Sequence, residues 1–461
     1  MNEEQDLKEV LKRLALELKN EIEDSISKGE IQPYKEQLFR LKVDQFKYDE
    51  NGVSGFSSHG ENFTRESWIF GVNKIENSIK KTDLYTSALE VLAKVVGNRD
   101  KAIDDLGYFI GSQARINADK SKPGEADMDA FIEIFLKDVK GEPVKYGAKV
   151  ELDGIVVLSD KIEFRIGDTN ITLRQTRIED LEKEFPVCGL VANPHLRRPS
   201  GILMVEFEGR QSNEIQLKVE QAIAILRLYK VGSVKTISYR MYSESITDIS
   251  ASATMSSGSV VGAIEKSIFR QEDSQKLKNF WQLMAKNLPF SFYEFGETVL
   301  DHKTIGYRRY CDGLLINGVL ERRIANAVMG LESLFLKGGE TQELSYRLGI
   351  RIAKIFGHLS YDPSKVKELV ADAYRIRSLF VHGSHLSYGE KKKLENRHGN
   401  INDFLKLLLD YLRVSIITTI LTKREKEEFL DLIDDALVDK AKDDQLNNLL
   451  RPTRDAILAN P

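Results

Sequence analysis

The hydrophobic period changes twice along this 461-residue chain, and that change limits its architecture more than any single motif does. Near the start, Leu7, Leu11, Leu14, Leu18 and Ile22 recur at intervals of four and three, which puts them on one helix face. The stripe does not continue for several heptads, so it reads as a helix packed on its own domain rather than a coiled-coil or partner-facing one. Helical patterns return over residues 84–112 and 128–139. The Gly- and Ser-rich stretch 51–62 and the segment 117–127, with Lys122-Pro-Gly-Glu, read as loops. In the middle third the period falls to two. Ile162, Phe164 and Ile166 alternate, Gly167-Asp-Thr-Asn170 turns the chain, and Ile171 and Leu173 alternate again. Leu203, Val205 and Phe207 make another strand, as do Ile237, Tyr239 and Met241. One helix interrupts them, with Ala222, Ile225, Leu226 and Tyr229 on its apolar face. From about Gln271 the period is helical once more.

The expected fold is therefore α+β and multidomain. A mainly helical region spans 1–140, a β-rich domain 144–242, a flexible linker 243–270, and a helical region 271–450. The linker rests on the run 243–259, which is rich in Ser, Ala and Thr and poor in large apolar residues.

Composition narrows the function. With 41% hydrophobic and 30% charged residues the chain can build sizeable cores, and a net charge of −4 excludes a basic nucleic-acid coat, so any RNA contact must use a local positive field. No run approaches the ~20 apolar residues needed to cross a bilayer. The start, Met1-Asn-Glu-Glu-Gln-Asp, lacks the basic-then-apolar pattern of a signal peptide. Only Cys188 and Cys311 are present, which fits a reducing cytoplasm and argues against a disulfide framework or a Cys-based zinc site. There is no GxxxxGK[ST] loop, no GxGxxG after a strand and no HExxH; His59, His195, His302, His358 and His398 are scattered. No metal or cofactor is expected.

Four C-terminal segments carry helical stripes: Ile324, Val328, Leu331 and Phe335; then Leu348, Ile352 and Ile355; then Val366, Leu369, Ala373, Ile376 and Phe380; then Phe404, Leu408, Leu412, Ile416 and Ile420. Short connections between amphipathic helices imply an antiparallel bundle. The third helix opens at Asp362-Pro363 and runs into Arg377-Ser-Leu-Phe-Val-His382-Gly383. A permanently charged Arg and a His that titrates near neutral pH suit phosphodiester chemistry. In an unbroken helix they point about 140° apart. A shared site then needs either a distorted helix end, which Gly383 would permit, or a second copy across a two-fold axis.

In this order of elements the region resembles a HEPN domain, whose signature is an Arg, four to six residues, and a His. It is most similar to the Apea-like branch. The resemblance covers residues 303–421 and rests on Tyr310, Arg323-Ile-Ala-Asn-Ala-Val-Met-Gly-Leu-Glu332, Leu344-Ser-Tyr-Arg347-Leu-Gly-Ile-Arg351, and Tyr374-Arg-Ile-Arg377-Ser-Leu-Phe-Val-His382-Gly383. It implies a metal-independent endoribonuclease acting as a homodimer, in antiphage defence or as a regulated toxin, with the N-terminal regions sensing a phage-derived trigger or protein partner. His382 would be the general acid or base on the ribose 2′-hydroxyl and the leaving oxygen, and Arg377 would hold the phosphate, giving 2′,3′-cyclic phosphate ends. The residue after the Arg is often polar in active members, and here it is Ser378. The rival reading is a non-catalytic module that binds RNA, nucleotide or protein within a defence complex.

Several neighbours carry lesser roles. Glu332 is expected to pair with Arg377 or Arg351 inside the bundle. His385 could share proton transfer or contact RNA, although its place in a loop is the plainer account. Lys391, Lys392 and Lys393, with Arg308 and Arg309, are candidate RNA contacts; charge runs on helices are more often solvated faces.

Overall fold

The computed structural model describes residues 3–50, 52–67, 73–118, 128–186, 198–248, 254–256, 266–293, 301–315 and 319–458. Cys188, His195 and most of the loop expected at 117–127 lie outside them.

The chain opens with α1 (Glu3–Ser27), a hairpin of β1 (Tyr34–Asp49) and β2 (Gly52–Ser67), and then α2 (Asn73–Ile79), α3 (Asp83–Val96), α4 (Arg99–Ala118) and α5 (Met128–Lys140). Leu7, Leu11, Leu14, Leu18 and Ile22 are fully buried, in one cluster with Leu92, Phe109 and Phe135 of α3, α4 and α5. The stripe on α1 is thus consumed within its own helical unit. Of the loop expected at 51–62, the described residues 52–62 are instead strand. Its pairing partners explain why: Phe56 lies opposite Phe46, Phe63 opposite Leu38 and Val53 opposite Tyr48. The Asn51-Gly52 dipeptide is a hairpin-turn signal, and Gly52 takes the left-handed φ of +81° that such a turn asks for.

The middle of the chain gives β3 (Val144–Asp153), β4 (Ile155–Val157), β5 (Lys161–Ile166), β6 (Thr169–Arg174), α6 (Ile178–Leu181), β7 (Lys183–Pro186), β8 (Gly201–Gly209), α7 (Asn213–Tyr229), β9 (Lys235–Ser243), β10 (Thr254–Ser256) and β11 (Ser267–Phe269). Six of these form one antiparallel sheet in the order β10-β9-β3-β8-β6-β5. The described part of the expected linker 243–270 is not free chain. Thr254–Ser256 pairs with Arg240, Tyr239 and Ser238 of β9, and Ser267–Phe269 pairs in parallel with β4, burying Phe269 completely.

The rest is helical: α8 (Asp273–Asn287), α9 (His302–Leu315), α10 (Leu320–Phe335), α11 (Leu344–His358), α12 (Pro363–Val381), α13 (Tyr388–His398), α14 (Ile401–Thr422), α15 (Lys426–Asp435), α16 (Lys440–Leu449) and α17 (Arg451–Leu458). The four helical stripes read from the sequence are buried, except that Phe380 is only half-buried. The chain is thus a mixed α and β protein with a β-sheet region followed by a helical C-terminal stretch.

Sheet and helices share one core, because α7 is buried nearly all round in its last turns, from Ala222 to Leu226 and at Leu228 and Tyr229. One side meets the sheet and the other meets the bundle. The last carbonyls of a helix have no partner within it. Here the bundle supplies them: Tyr310 Oη donates to Arg227 O at 2.9 Å, and Arg413 Nη1 donates to Leu228 O and Tyr229 O at 2.9 and 3.0 Å. The Arg413 cation also opposes the negative end of the α7 dipole.

Candidate active site

Helix α12 begins with Asp362, whose carboxylate accepts from Ser364 N, followed by Pro363 in the first turn. It ends in a Schellman turn. Gly383 sits at φ +73°, its N–H donates to Phe380 O at 3.1 Å, and Ser384 N–H donates to Leu379 O at 2.8 Å. His382 is the capping residue just before this turn, and its N–H still donates to Ser378 O in helical fashion at 3.1 Å. The helix therefore stays regular from Arg377 to His382. The distorted end that would bring the two side chains together in one chain is not there, and the angle of about 140° stands.

Arg377 sits on the shoulder between the buried face and solvent, with 27% of its side chain exposed. One Nη donates to Glu332 of α10 at 3.4 Å, and its guanidinium carbon lies 5.7 Å from the centre of the Tyr374 ring. Its Nε is buried without a hydrogen-bond partner among the described residues. Burial pushes the Glu332 carboxyl above its usual range, and Arg377 only partly offsets that. His382 is exposed and hydrogen-bonds to no described side chain; Ser378 is half-buried, and His385 is exposed in the following loop.

Of the two partners expected for Glu332, Arg377 is the one it meets. Arg351 is taken elsewhere. All five of its N–H donors are used: Nε and Nη2 on Asp434 of α15 at 2.7 Å each, Nη1 and Nη2 on Glu340 at 2.8 and 2.6 Å, and Nη1 on Phe335 O at 2.8 Å. It locks the α10–α11 connection onto α15 and has no donor left for a substrate.

Lys391, Lys392 and Lys393 are exposed on α13. That helix starts with a capping box, Ser387 Oγ accepting from Glu390 N and the Glu390 carboxylate accepting from Ser387 N at 2.8 Å. It is tied along α12 by Arg375–Glu390, Arg397–Glu368 at 3.2 Å, and the pair Arg397 and His398 on Asp372 at 2.9 Å each. The three lysines thus ride beside the helix that carries the motif. Arg309 does not: it is held by Asp312 at 3.4 Å and Asn326 at 3.2 Å, and its Cβ packs beside Gly330 of α10. Glu332 projects about 200° round α10 from Gly330, so Arg309 lies on the far side of α10 from Arg377. Arg308, next to it on α9, is exposed.

Sequence reading gave no role to Tyr346 or Lys367, which the fold sets in line with Tyr374. Lys367 Nζ lies 4.9 Å from the centre of the Tyr346 ring, and both line a groove with Ala371 and Tyr374. The available signal was the spacing of Lys367, Ala371 and Tyr374 along one exposed helix face.

Comparison with protein-family models, curated proteins and solved structures returns no match to this chain. No described helix is long and apolar enough to cross a membrane.

Proposed function

We propose that this chain is a HEPN-type endoribonuclease that cleaves RNA without a metal, with the active centre at the C-terminal end of α12. The observation that carries this reading is the contrast between the two motif residues. Arg377 is held by Glu332 at a single nitrogen and its side chain stays 27% exposed. His382 stands exposed at the helix end, with no described side chain competing for its ring. An anchored cation beside an open imidazole is what positioning a phosphate and moving a proton require. Because a regular helix aims the pair apart, the reading includes a second copy whose His382 complements this copy's Arg377. Antiphage defence, with the N-terminal helices and hairpin sensing a trigger, is the setting that the resemblance suggests.

The same regular helix favours the second reading, a non-catalytic RNA- or protein-binding module, because one chain alone does not unite the pair. Cleavage of total RNA in EDTA separates them. The nuclease reading expects chelator-resistant cleavage, 2′,3′-cyclic phosphate ends, and a drop of at least about 100-fold in both Arg377→Ala and His382→Ala. RNA binding by the parent chain with equal, background cleavage in all three proteins would favour the binding module instead.

A further inference from the structure

On a helical wheel of α12 with Lys367 at zero, Tyr374 falls at about −20°, Ser378 at about 20° and Ala371 at about 40°. These four form one stripe about 16 Å long, given 1.5 Å per residue. Arg377 falls at about −80° and His382 at about +60°. The stripe therefore runs between the directions of the two motif residues and ends beside them. On one flank is the shoulder where Arg377 meets Glu332; on the other, at about 80° to 140°, are Arg375, Glu368 and Asp372, which hold α13.

The start of the stripe opens into a groove of about 680 Å³ whose lining includes Glu343, Tyr346, Lys367, Ala371 and Tyr374. Its chemistry alternates. Tyr346, 54% exposed, lies beneath the Lys367 ammonium at 4.9 Å; Tyr374, half-buried, lies beside the Arg377 guanidinium at 5.7 Å. Flat rings alternating with cations along an open groove match a single strand of nucleic acid. Its bases stack without regard to sequence, and its phosphates take the positive charges. Glu343 is the one acid in the lining.

We propose that this groove is a single-strand nucleic-acid track: bases stack on Tyr346 and Tyr374, and Lys367 takes a backbone phosphate. The strand then runs along α12 so that a later phosphate reaches Arg377 at the helix end, where the second copy's His382 completes the site. The binding stands on the groove itself; only the fate of the strand at the helix end rests on the nuclease reading. The track supplies an approach that the helix angle alone does not, because a strand lying on the stripe passes the shoulder that holds Arg377.

The test is fluorescence anisotropy with a labelled uridine-rich RNA and a DNA of matching sequence, using the full chain with His382→Ala so that nothing is cut. Tyr346→Ala is expected to weaken RNA binding roughly 5- to 150-fold, the loss of one base stack, while Tyr346→Phe keeps the ring and stays near the parent. Lys367→Gln is expected to flatten the slope of log K against log salt by about 0.7, one single-strand phosphate contact. Equal losses on RNA and DNA support a track blind to the 2′-hydroxyl; losses on RNA alone support one that reads it. The proposal is overturned if the parent binds neither strand, or if it binds RNA as tightly with Tyr346→Ala and Lys367→Gln as without. A chain that shows these losses yet never cleaves RNA keeps the track and loses the nuclease. One that cleaves RNA and shows no losses does the reverse.

Discussion

Replacing Arg351 by Met takes five N–H donors out of the bundle at once and leaves a side chain of similar length in their place. Arg351 is 2% exposed, so nothing in solvent replaces it. The carboxylates that it serves lose it unequally: Glu340, 11% exposed, keeps Arg347 at 3.2 Å and the Lys337 N–H at 3.0 Å, while the Asp434 side chain is 38% exposed to water. Breaking a buried pair from one side costs roughly 3–5 kcal/mol, and Asp434 can rehydrate, so the loss should fall at the lower end, about 3 kcal/mol. The hydrogen bonds to Arg351 hold the Glu340 carboxyl down to about 2 from its ordinary 4.5. A depressed carboxylate stabilises the fold fully above its unfolded pKa, and that contribution is lost as pH falls through the folded value. The deficit of Arg351→Met against the parent should therefore be complete at pH 7 and lose roughly half of its Glu340 part by pH 3. Urea unfolding can be followed by the fluorescence of Trp281, which is 4% exposed in the same core, with Trp68→Phe in both proteins. A deficit under about 1 kcal/mol at pH 7, or one that does not shrink in acid, would refute the account of Arg351 as a satisfied buried staple.

Two further substitutions probe how the helical region is held. Arg413→Met unpairs Asp410 and frees the carbonyls of Leu228 and Tyr229, so it should destabilise by about 2–4 kcal/mol and separate sheet and bundle unfolding into two transitions; one cooperative transition of parental midpoint would count against a coupled core. Gly383→Ala forces a Cβ into the left-handed turn at φ +73°, where no neighbouring atom crowds it, so the loss should be only the backbone term of about 1 kcal/mol, with far-ultraviolet dichroism unchanged. A loss of several kcal/mol there would mean that the turn is packed differently.

What the sequence made legible was whatever follows from one residue's neighbours along the chain. The α1 stripe, the alternating strands of the sheet and the four bundle stripes each repeat within a single element, so their periods name their buried faces. The hairpin was hidden because Gly52–Ser67 is rich in Gly and Ser, and only the partner strand, through pairs such as Phe46 with Phe56, makes it a strand. Short described pieces of the apparent linker are strand for the same reason. Thr254–Ser256 has no strand signal of its own and is recruited by the edge of β9. Arg413 could not have been assigned from its position in α14, because its partners are carbonyls 184 and 185 residues away.

The motif itself divides along the same line. Its residue types and spacing were visible, and so was the angle that sets them apart. The sequence left open whether the helix end bends, and the regular hydrogen bond from His382 N to Ser378 O answers that it does not. This moves the weight of the problem from the two residues to the space between them. A pair aimed about 140° apart cannot close on one atom from a single helix, and a polymer lying along the face between them would be guided to Arg377 at the helix end. The side chains best placed to guide such a polymer are Lys367, Tyr374 and Ser378, with Tyr346 reaching in from α11. The Glu332 contact then holds Arg377 on the shoulder beside the stripe rather than letting it swing outward. Glu332→Gln, which keeps the shape and removes the charge, should weaken that hold and raise the mobility of Arg377 without emptying the groove. RNA affinity should then stay within about 3-fold of the parent while cleavage falls by 10-fold or more, since a looser guanidinium loses alignment with the phosphate before it loses attraction to it. Equal falls in binding and cleavage would instead make Glu332 a support for the groove.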